Sequence, residues 1–281
     1  MKVGVVGLGA MGAGIAQLAI EAGFETVGRE VEQARGEAAR DRIAHFLTRK
    51  VEKGQLEQDA RDAAVARLTV TTELADLADC DVVIEAAFED LAVKHTLFRE
   101  LEAVVRPDAI LATNTSALSV TEIASVLERP ERALGMHFFN PAPLMPLVEI
   151  VRAERTADEP YERAFVLGSQ LGKTPIRCGD TPGFVVNRVL IPLLNDCVRV
   201  LDEAGVTPED LDAGMKFGAG WPMGPCALLD LVGADVHVHA SEALYEKLRE
   251  PRMAPPPRLV RMLQAGKLGR KTGEGFYRYG D

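Results

Sequence analysis

Short apolar runs alternate with longer segments of helical spacing over the first 180 residues. The runs at 2–6 and 109–113 are mostly apolar, which is typical of strands buried on both faces of a parallel sheet. Between such runs lie segments with apolar residues three and four positions apart, such as 91–104. The alternation predicts a Rossmann-type, doubly wound α/β fold with a mainly parallel sheet. Further strands are predicted at 24–28, 68–70, 81–87, 132–137 and 174–178, and further helices at 13–22, 121–127 and 161–171.

An insertion follows the second predicted strand. Residues 31–53 are rich in Ala, Glu and Arg at helical spacing, Gly54 breaks the pattern, and 58–67 resumes it. The pattern predicts a helical hairpin over about residues 31–67.

The pattern becomes mainly helical after residue 181. We therefore predict a Rossmann domain at 1–181 and a smaller all-α domain at 182–281, which would serve substrate binding and dimerisation. The second domain has many apolar positions for about 100 residues, so we expect a homodimer through this domain. Its predicted helices are 184–204 with an interruption near Pro192, one capped by Thr207 with Pro208 next, one from Ala227 after the rigid turn at 221–225, and 259–265.

Composition narrows the classes of partner. The chain has 281 residues, of which 47% are apolar, and its net charge of −10 leaves no basic field for nucleic acid or an anionic membrane surface. Four cysteines are scattered without C-x-x-C spacing, which favours reduced thiols in a cytoplasmic protein, with no disulfide and no zinc site.

The first strand runs into a glycine-rich turn. Gly7, Gly9 and Gly12 follow the G-x-G-x-x-G spacing, and a helix of small residues comes next. The glycines allow a tight turn, a close approach of pyrophosphate to the backbone, and close packing of helix on strand. Phosphates would then lie at the helix N-terminus, against Ala10 and Met11.

An acid after the second strand bears on which cofactor binds. Glu30 lies 18 residues after Gly12, where a carboxylate would bind the adenine-ribose hydroxyls, and this favours NAD. Arg29 beside it could reduce repulsion of a 2′-phosphate, which leaves NADP open.

A histidine and a glutamate stand in apolar surroundings twelve residues apart. His137 opens the sequence HFFNP, and Glu149 lies within Leu147-Val148-Glu149-Ile150-Val151. A buried carboxylate can hold a histidine as a base at neutral pH. From these residues alone, a proton-transfer pair and a core histidine bonded to backbone both remain open.

Several short motifs occur in order along the whole chain. They lie at 7–12, 89–94, 114–116, 137–141, 180–188, 222–225 and 269–277. With these motifs the chain resembles the L-3-hydroxyacyl-CoA dehydrogenase family, which includes bacterial 3-hydroxybutyryl-CoA dehydrogenases. The resemblance implies an NAD-dependent interconversion of (S)-3-hydroxyacyl-CoA and 3-oxoacyl-CoA, with a short acyl chain. The acyl length preference and the physiological direction stay open.

The resemblance also implies roles for residues. His137 would remove the 3-hydroxyl proton while hydride passes to the nicotinamide, and Glu149 would orient His137 and stabilise its imidazolium form. Ser116 and Asn187 would hydrogen-bond the substrate oxygens. The residues that match cofactor contacts of the family are Glu89, Lys94, Ser116, Asn140 and Lys271. Of these, Ser116 and Asn140 could instead cap turns, and the two lysines could be solvated surface charges.

Coenzyme A needs cations for its phosphates. By resemblance Lys53 is the best candidate, with Lys50 beside it, although His45 and Phe46 stand where the family has a small polar residue. The pair His237 and His239 lacks a third ligand at suitable spacing, so we expect no metal.

Two other functions remain open. An L-gulonate dehydrogenase shares much of the motif set, whereas 3-hydroxyisobutyrate and 6-phosphogluconate types would rely on a catalytic lysine. A non-catalytic dinucleotide sensor would not need His137, Glu149, Ser116 and Asn187 together.

Overall fold

Eight strands between residues 2 and 179 form a single sheet in the computed structural model, which describes residues 1–280. The strand order is β3-β2-β1-β4-β5-β6-β7-β8, and every adjacent pair is parallel except β6 with β7. The Rossmann-type prediction is therefore confirmed, with one antiparallel step that the sequence pattern did not predict. The strands are β1 Lys2–Val6, β2 Glu25–Arg29, β3 Leu68–Thr71, β4 Val82–Glu85, β5 Ile110–Thr113, β6 Ala133–Phe138, β7 Leu147–Arg152 and β8 Thr174–Gly179.

Helices connect the strands, and the apolar strands explain how they pack. Successive residues of β4 and β5 belong to different hydrophobic clusters: Ile84 and Ile110 to one, Val83 and Leu111 to the other. Successive side chains of a strand point to opposite faces, so each face is covered. The helices are α1 Ala10–Glu21, α2 Gln33–Glu52, α3 Gln58–Ala66, α4 Leu91–Val104, α5 Val120–Ala124 and α6 Asp158–Gln170. The pair α2 and α3 is the predicted helical hairpin.

Contacts between residues divide the chain into two compact units, one of residues 1–181 and one that begins at Pro182. The end of the first unit is held by Asp180, whose carboxylate accepts hydrogen bonds from Ser119 Oγ (2.6 Å), Val120 N (3.0 Å) and Thr121 N (2.7 Å). These contacts fasten the segment after β8 to the first turn of α5.

The second unit is helical. Its helices are α7 Val186–Ala204, α8 Pro208–Ala213, α9 Pro225–Val232, α10 Ala234–Leu248 and α11 Pro257–Gln264. The predicted interruption near Pro192 is wrong, because α7 continues through that proline. The helix predicted from Ala227 is α9, which begins two residues earlier at Pro225; Gly233, with φ of +102°, separates it from α10. Within residues 1–280, the helices are all too short or too polar to cross a membrane.

Two buried aspartates hold the C-terminal segment in the second unit. Asp230 accepts hydrogen bonds from the backbone N–H groups of Phe276 and Tyr277, both at 2.9 Å, and from Tyr279 Oη at 3.0 Å. Asp212 accepts from Tyr277 Oη at 2.9 Å. The motif at 269–277 therefore has a structural role in the fold, in addition to any role at Lys271.

Candidate active site

The turn after β1 has the geometry that its glycines predict. Gly7 adopts a φ of +86°, and a Cβ at Gly12 would lie 1.7 Å from the carbonyl oxygen of Gly7, so only glycine fits there. A Cβ at Gly9 would meet nothing within 4 Å. Helix α1 begins at Ala10 without a side-chain cap. Its first N–H groups, which include those of Ala10 and Met11, form the kind of site that binds phosphate.

Glu30 is fixed beside this turn. Its carboxylate accepts hydrogen bonds from Leu8 N at 2.9 Å and from Val31 N at 2.8 Å. Arg29 has a hydrogen-bond partner within the protein, because its Nε donates to the carbonyl oxygen of Thr72 at 3.1 Å. The position of Glu30 suits binding of ribose hydroxyls, and a 2′-phosphate near it would be repelled.

His137 and Glu149 face each other across the antiparallel step of the sheet. They occupy directly paired positions of β6 and β7, and His137 Nδ1 lies 2.6 Å from Glu149 Oε2. Glu149 is fully buried and His137 is 6% exposed. A contact this short between buried groups is a strong hydrogen bond, and the carboxylate can stabilise a protonated imidazole. The structure thus joins the two residues that the sequence placed twelve positions apart.

Asn114 lies at the end of β5 and ties it to the end of β6. Its side-chain Oδ1 accepts a hydrogen bond from Phe138 N at 2.9 Å, and its own backbone N–H donates to the carbonyl oxygen of Glu85 at 2.7 Å. Three neighbouring strand ends are therefore connected next to His137. Asn114 was not predicted as a site residue, although its place after a buried strand marks it as a candidate.

A buried ion-pair network lies under the loop that carries Ser116. Lys94 Nζ donates to Glu85 Oε1 at 2.6 Å and lies 3.2 Å from Glu89 Oε2. Glu85 also accepts from Thr113 Oγ1 at 2.6 Å. Because Lys94 is 1% exposed, its alternative interpretation as a solvated surface charge is wrong. Glu85 was not predicted as a site residue. It could have been recognised as a carboxylate at the end of the apolar strand Val82–Glu85, where a buried charge needs a partner.

Glu89 holds the backbone of the Ser116 loop. Its Oε1 accepts hydrogen bonds from Ser116 N at 3.0 Å and Ala117 N at 3.2 Å, and from Thr115 Oγ1. Desolvation raises the pKa of Glu89, but the Lys94 charge and these hydrogen bonds outweigh it and hold the pKa below its ordinary value. Glu89 is thus a carboxylate at neutral pH. Ser116 itself is exposed to solvent.

A cavity of about 520 Å³ opens in the first unit between α1, α2 and the loop that follows His137. Asn140 is exposed and lines it. Four cations also line the cavity, namely Arg42, Arg49, Lys50 and Lys53. Lys50 is paired with Glu21. Lys53, at the C-terminal end of α2, is exposed and has no carboxylate within 4 Å among residues 1–280. Lys53 is therefore the better placed of the two predicted lysines to bind an anion.

Two of the predicted site residues belong to the second unit. Asn187 lies in the first turn of α7 and is partly buried. Lys271 forms an ion pair with Asp235 at 2.5 Å, which lowers the pKa of Asp235 despite partial desolvation of that carboxyl. In the same unit His237 is bonded to Asn195, at 2.8 Å between Nε2 and Oδ1.

Comparison with known proteins gives consistent matches over the full length. Residues 2–181 match the 3-hydroxyacyl-CoA dehydrogenase NAD-binding domain, and residues 183–279 match the C-terminal domain of the same family. A 3-hydroxybutyryl-CoA dehydrogenase of Mycobacterium tuberculosis is 45% identical over 99% of this chain and 98% of its own. The one of Bradyrhizobium diazoefficiens is 43% identical over 99% and 95%.

Solved structures agree with this match. The crystal structure of (S)-3-hydroxybutyryl-CoA dehydrogenase from Ralstonia eutropha superimposes with a TM-score of 0.95 at 40% identity, and the match covers 100% of this chain and 99% of that one. The predicted family and the predicted NAD cofactor are both confirmed. The chain belongs to the 3-hydroxyacyl-CoA dehydrogenase family of NAD-dependent oxidoreductases.

Proposed function

We propose that this protein interconverts short-chain (S)-3-hydroxyacyl-CoA and 3-oxoacyl-CoA, with 3-hydroxybutyryl-CoA and acetoacetyl-CoA as the preferred pair. The observation that carries the proposal is the buried contact of 2.6 Å between His137 Nδ1 and Glu149 Oε2, on the paired strands β6 and β7. The names of the similar proteins, 3-hydroxybutyryl-CoA dehydrogenases, support the substrate class.

His137 acts as the general base in the direction of alcohol oxidation. Its Nδ1 is engaged by Glu149, so the proton of the 3-hydroxyl goes to Nε2. The imidazole then becomes a buried cation, and the carboxylate of Glu149 stabilises it. In the reverse direction the imidazolium returns that proton to the oxygen at C3. Ser116 and Asn187 hydrogen-bond the substrate oxygens.

The chain's residues fit NAD, which supplies the hydride acceptor or donor when bound. Gly7, Gly9, Gly12 and the first N–H groups of α1 bind the pyrophosphate, and Glu30 binds the adenine ribose. The other residues that we assign to the cofactor are Glu89, Lys94, Ser116, Asn140 and Lys271. Glu89 and Lys94 also keep the Ser116 loop in place, so they act on substrate and cofactor together.

The cavity beside α2 binds the nucleotide part of coenzyme A. Lys53 contacts a phosphate, and Lys50 does so to the extent that its pairing with Glu21 permits. The exposed Phe46 lines the same cavity and offers a ring to the adenine base. An aromatic residue thus occupies a place where the family has a small polar one.

The second unit forms a homodimer. Its long helix α7 and the helix α9 line an apolar cavity of about 650 Å³, and Val189 and Leu231 on its walls are 62% and 50% exposed. Apolar surface of this extent on helices is typical of an interface with a second subunit. We place the protein in the cytoplasm, because its four cysteines are free thiols, which suits a reducing compartment.

Oxidation of NADH in the presence of acetoacetyl-CoA tests the function. We expect turnover with acetoacetyl-CoA that declines as the acyl chain is lengthened in a series of 3-oxoacyl-CoA substrates. Turnover of L-gulonate with NAD, and none with any 3-oxoacyl-CoA, would indicate the gulonate dehydrogenase. Binding of NADH without turnover of either substrate would indicate a sensor.

A further inference from the structure

Lys173 is a buried lysine that none of the site assignments above includes. It immediately precedes β8 and is 8% exposed. Its ammonium donates to the carbonyl oxygens of Ala142 at 2.7 Å and Met145 at 2.9 Å, and Pro143 O lies at 3.4 Å. All three acceptors belong to residues 140–146, which connect β6 to β7 and are called here the 140–146 loop.

The surroundings of Lys173 show that carbonyl groups are its principal partners. Within residues 1–280, every carboxylate is more than 4 Å from its ammonium. Burial lowers the pKa of Lys173, the more distant Glu21 raises it, and Lys50 lowers it. A lysine ammonium has three donors and no acceptor, so backbone carbonyls that converge on it suit it well.

The 140–146 loop forms part of two predicted binding regions. It begins at Asn140, three residues after His137, and Asn140, Pro143 and Leu144 line the cavity beside α2. Pro143 and Ala142 pack so closely on Gly14 of α1 that a Cβ there would lie 2.9 Å from Pro143 Cδ. The loop's own backbone bonds are few: Leu144 N and Met145 N both donate to Pro141 O at 3.0 Å.

We propose that Lys173 is a positioning residue that fixes the 140–146 loop and thereby places Asn140 at the cofactor and the loop's apolar side chains against the coenzyme A nucleotide. An apolar residue at 173 would leave the carbonyls of Ala142 and Met145 without this donor. The end of the loop would still be bonded to β8 through Thr174 N and Pro146 O (2.6 Å), but its central residues would lose their hydrogen bonds to the segment before β8. The proposal rests on the proposed function for its link to catalysis. The structural part of the proposal, that Lys173 holds the 140–146 loop in place, does not depend on the substrate.

A double-mutant cycle tests whether Lys173 acts through the loop. We expect Lys173→Met to lower kcat/KM for acetoacetyl-CoA and NADH about tenfold, because a small misplacement of binding groups has effects of this order or larger. In an Asn140→Ala background the same substitution should lower it by less than about twofold, since coupled positions are not additive. Lys173→Arg, which keeps a charged donor, should recover most of the loss. Lys267→Met is the matched control, because Lys267 is an exposed lysine of the second unit paired with Glu274.

Hydrogen exchange followed by mass spectrometry supplies a readout that does not use activity. In Lys173→Met, exchange should quicken in peptides covering 140–146 and remain unchanged in peptides from β1 and β5. Lys173→Gln replaces Lys173→Met in both measurements if the methionine variant does not fold.

Equal losses of kcat/KM in both backgrounds, or unchanged exchange in the 140–146 loop, would overturn the proposal. If the wild-type protein turns over no 3-oxoacyl-CoA, the proposed function fails. Exchange in the loop then still decides whether Lys173 holds it.

Discussion

Two buried histidines in this protein have hydrogen-bond partners that differ in charge. His137, 6% exposed, meets the carboxylate of Glu149 at 2.6 Å, whereas His237, 4% exposed, meets the amide oxygen of Asn195 at 2.8 Å. Asn195 donates in turn to Ser241 Oγ at 2.8 Å, so its amide orientation assigns the donor role to His237 Nε2. Burial lowers the pKa of His237 to about 4, and the imidazole is neutral at physiological pH.

The difference lies in what each partner can do when a proton arrives. A carboxylate stabilises an imidazolium ion, so a histidine beside it can accept and return a proton. An amide carries no charge, so desolvation dominates and the histidine serves as a fixed hydrogen-bond donor. Burial alone therefore does not identify a catalytic histidine, and the charge of the partner separates the two cases.

Removal of the catalytic imidazole should have the largest effect. We expect His137→Gln to bind NADH as the wild type does and to lose about 10²–10⁴-fold in kcat, the usual contribution of general acid–base catalysis. Stopped-flow or steady-state NADH oxidation with acetoacetyl-CoA measures the rate, and NADH fluorescence measures binding. His237→Gln is the control for histidine loss and should retain kcat within about twofold, since that imidazole is bonded within the second unit's helices. A rate near that of the wild type in His137→Gln would contradict the assignment.

Replacement of the carboxylate should make His137 resemble His237. Glu149→Gln leaves a hydrogen-bond partner of the same size but removes the charge that stabilises the imidazolium ion. We expect the fold to be kept and kcat to fall about 10²-fold, because a charge-assisted hydrogen bond is replaced by a neutral one in a buried site. The dependence of kcat on pH should also change. A wild-type pH profile in this variant would exclude Glu149 from the mechanism.

Cofactor choice should depend on Glu30. The wild type should favour NADH over NADPH by at least about tenfold in kcat/KM, because a 2′-phosphate next to this carboxylate is repelled. In Glu30→Gln the kcat/KM values for NADH and NADPH should lie closer together. The rise in kcat/KM with NADPH should be larger than the fall in kcat/KM with NADH. Equal use of both cofactors by the wild type would show that Glu30 does not select.

The smallest effect concerns stability at low pH. The pKa of His237 is about 4 in the folded protein and about 6.5 when unfolded, so between these values the unfolded chain binds the extra proton. His237 thus lowers the free energy of unfolding as the pH falls from 6.5 to 4, by at most about 3 kcal/mol, and contributes no pH dependence above 6.5. Urea titrations at pH 7 and pH 4.5 should show a smaller loss in His237→Gln than in the wild type. The same loss in both would contradict the neutral, buried state of His237.

Sequence patterns predict some of these features well for identifiable reasons. The strand at 2–6 and the glycines at 7, 9 and 12 are local in sequence, so spacing alone fixes their conformation. His137 and Glu149 stand out because each is a polar residue in an apolar run. Periodicity does not reveal strand direction, however, and the antiparallel pairing that puts His137 opposite Glu149 appears only in the structure.

The missed residues depend on contacts between distant parts of the chain. Glu85 meets Lys94 from the next helix and Thr113 from a strand 28 residues later, and Lys173 meets a loop about 30 residues earlier. Neither contact follows from local spacing. The helix through Pro192 was also mispredicted, because surrounding packing outweighs the proline's local tendency to break a helix.

The most direct test of the account is a double-mutant cycle on kcat between His137→Gln and Glu149→Gln. If Glu149 acts only through His137, the double variant should have a kcat within about twofold of His137→Gln alone, because the carboxylate has no imidazolium ion left to stabilise. If the two losses multiply, Glu149 acts independently of His137, and the proton-transfer pair proposed here is contradicted.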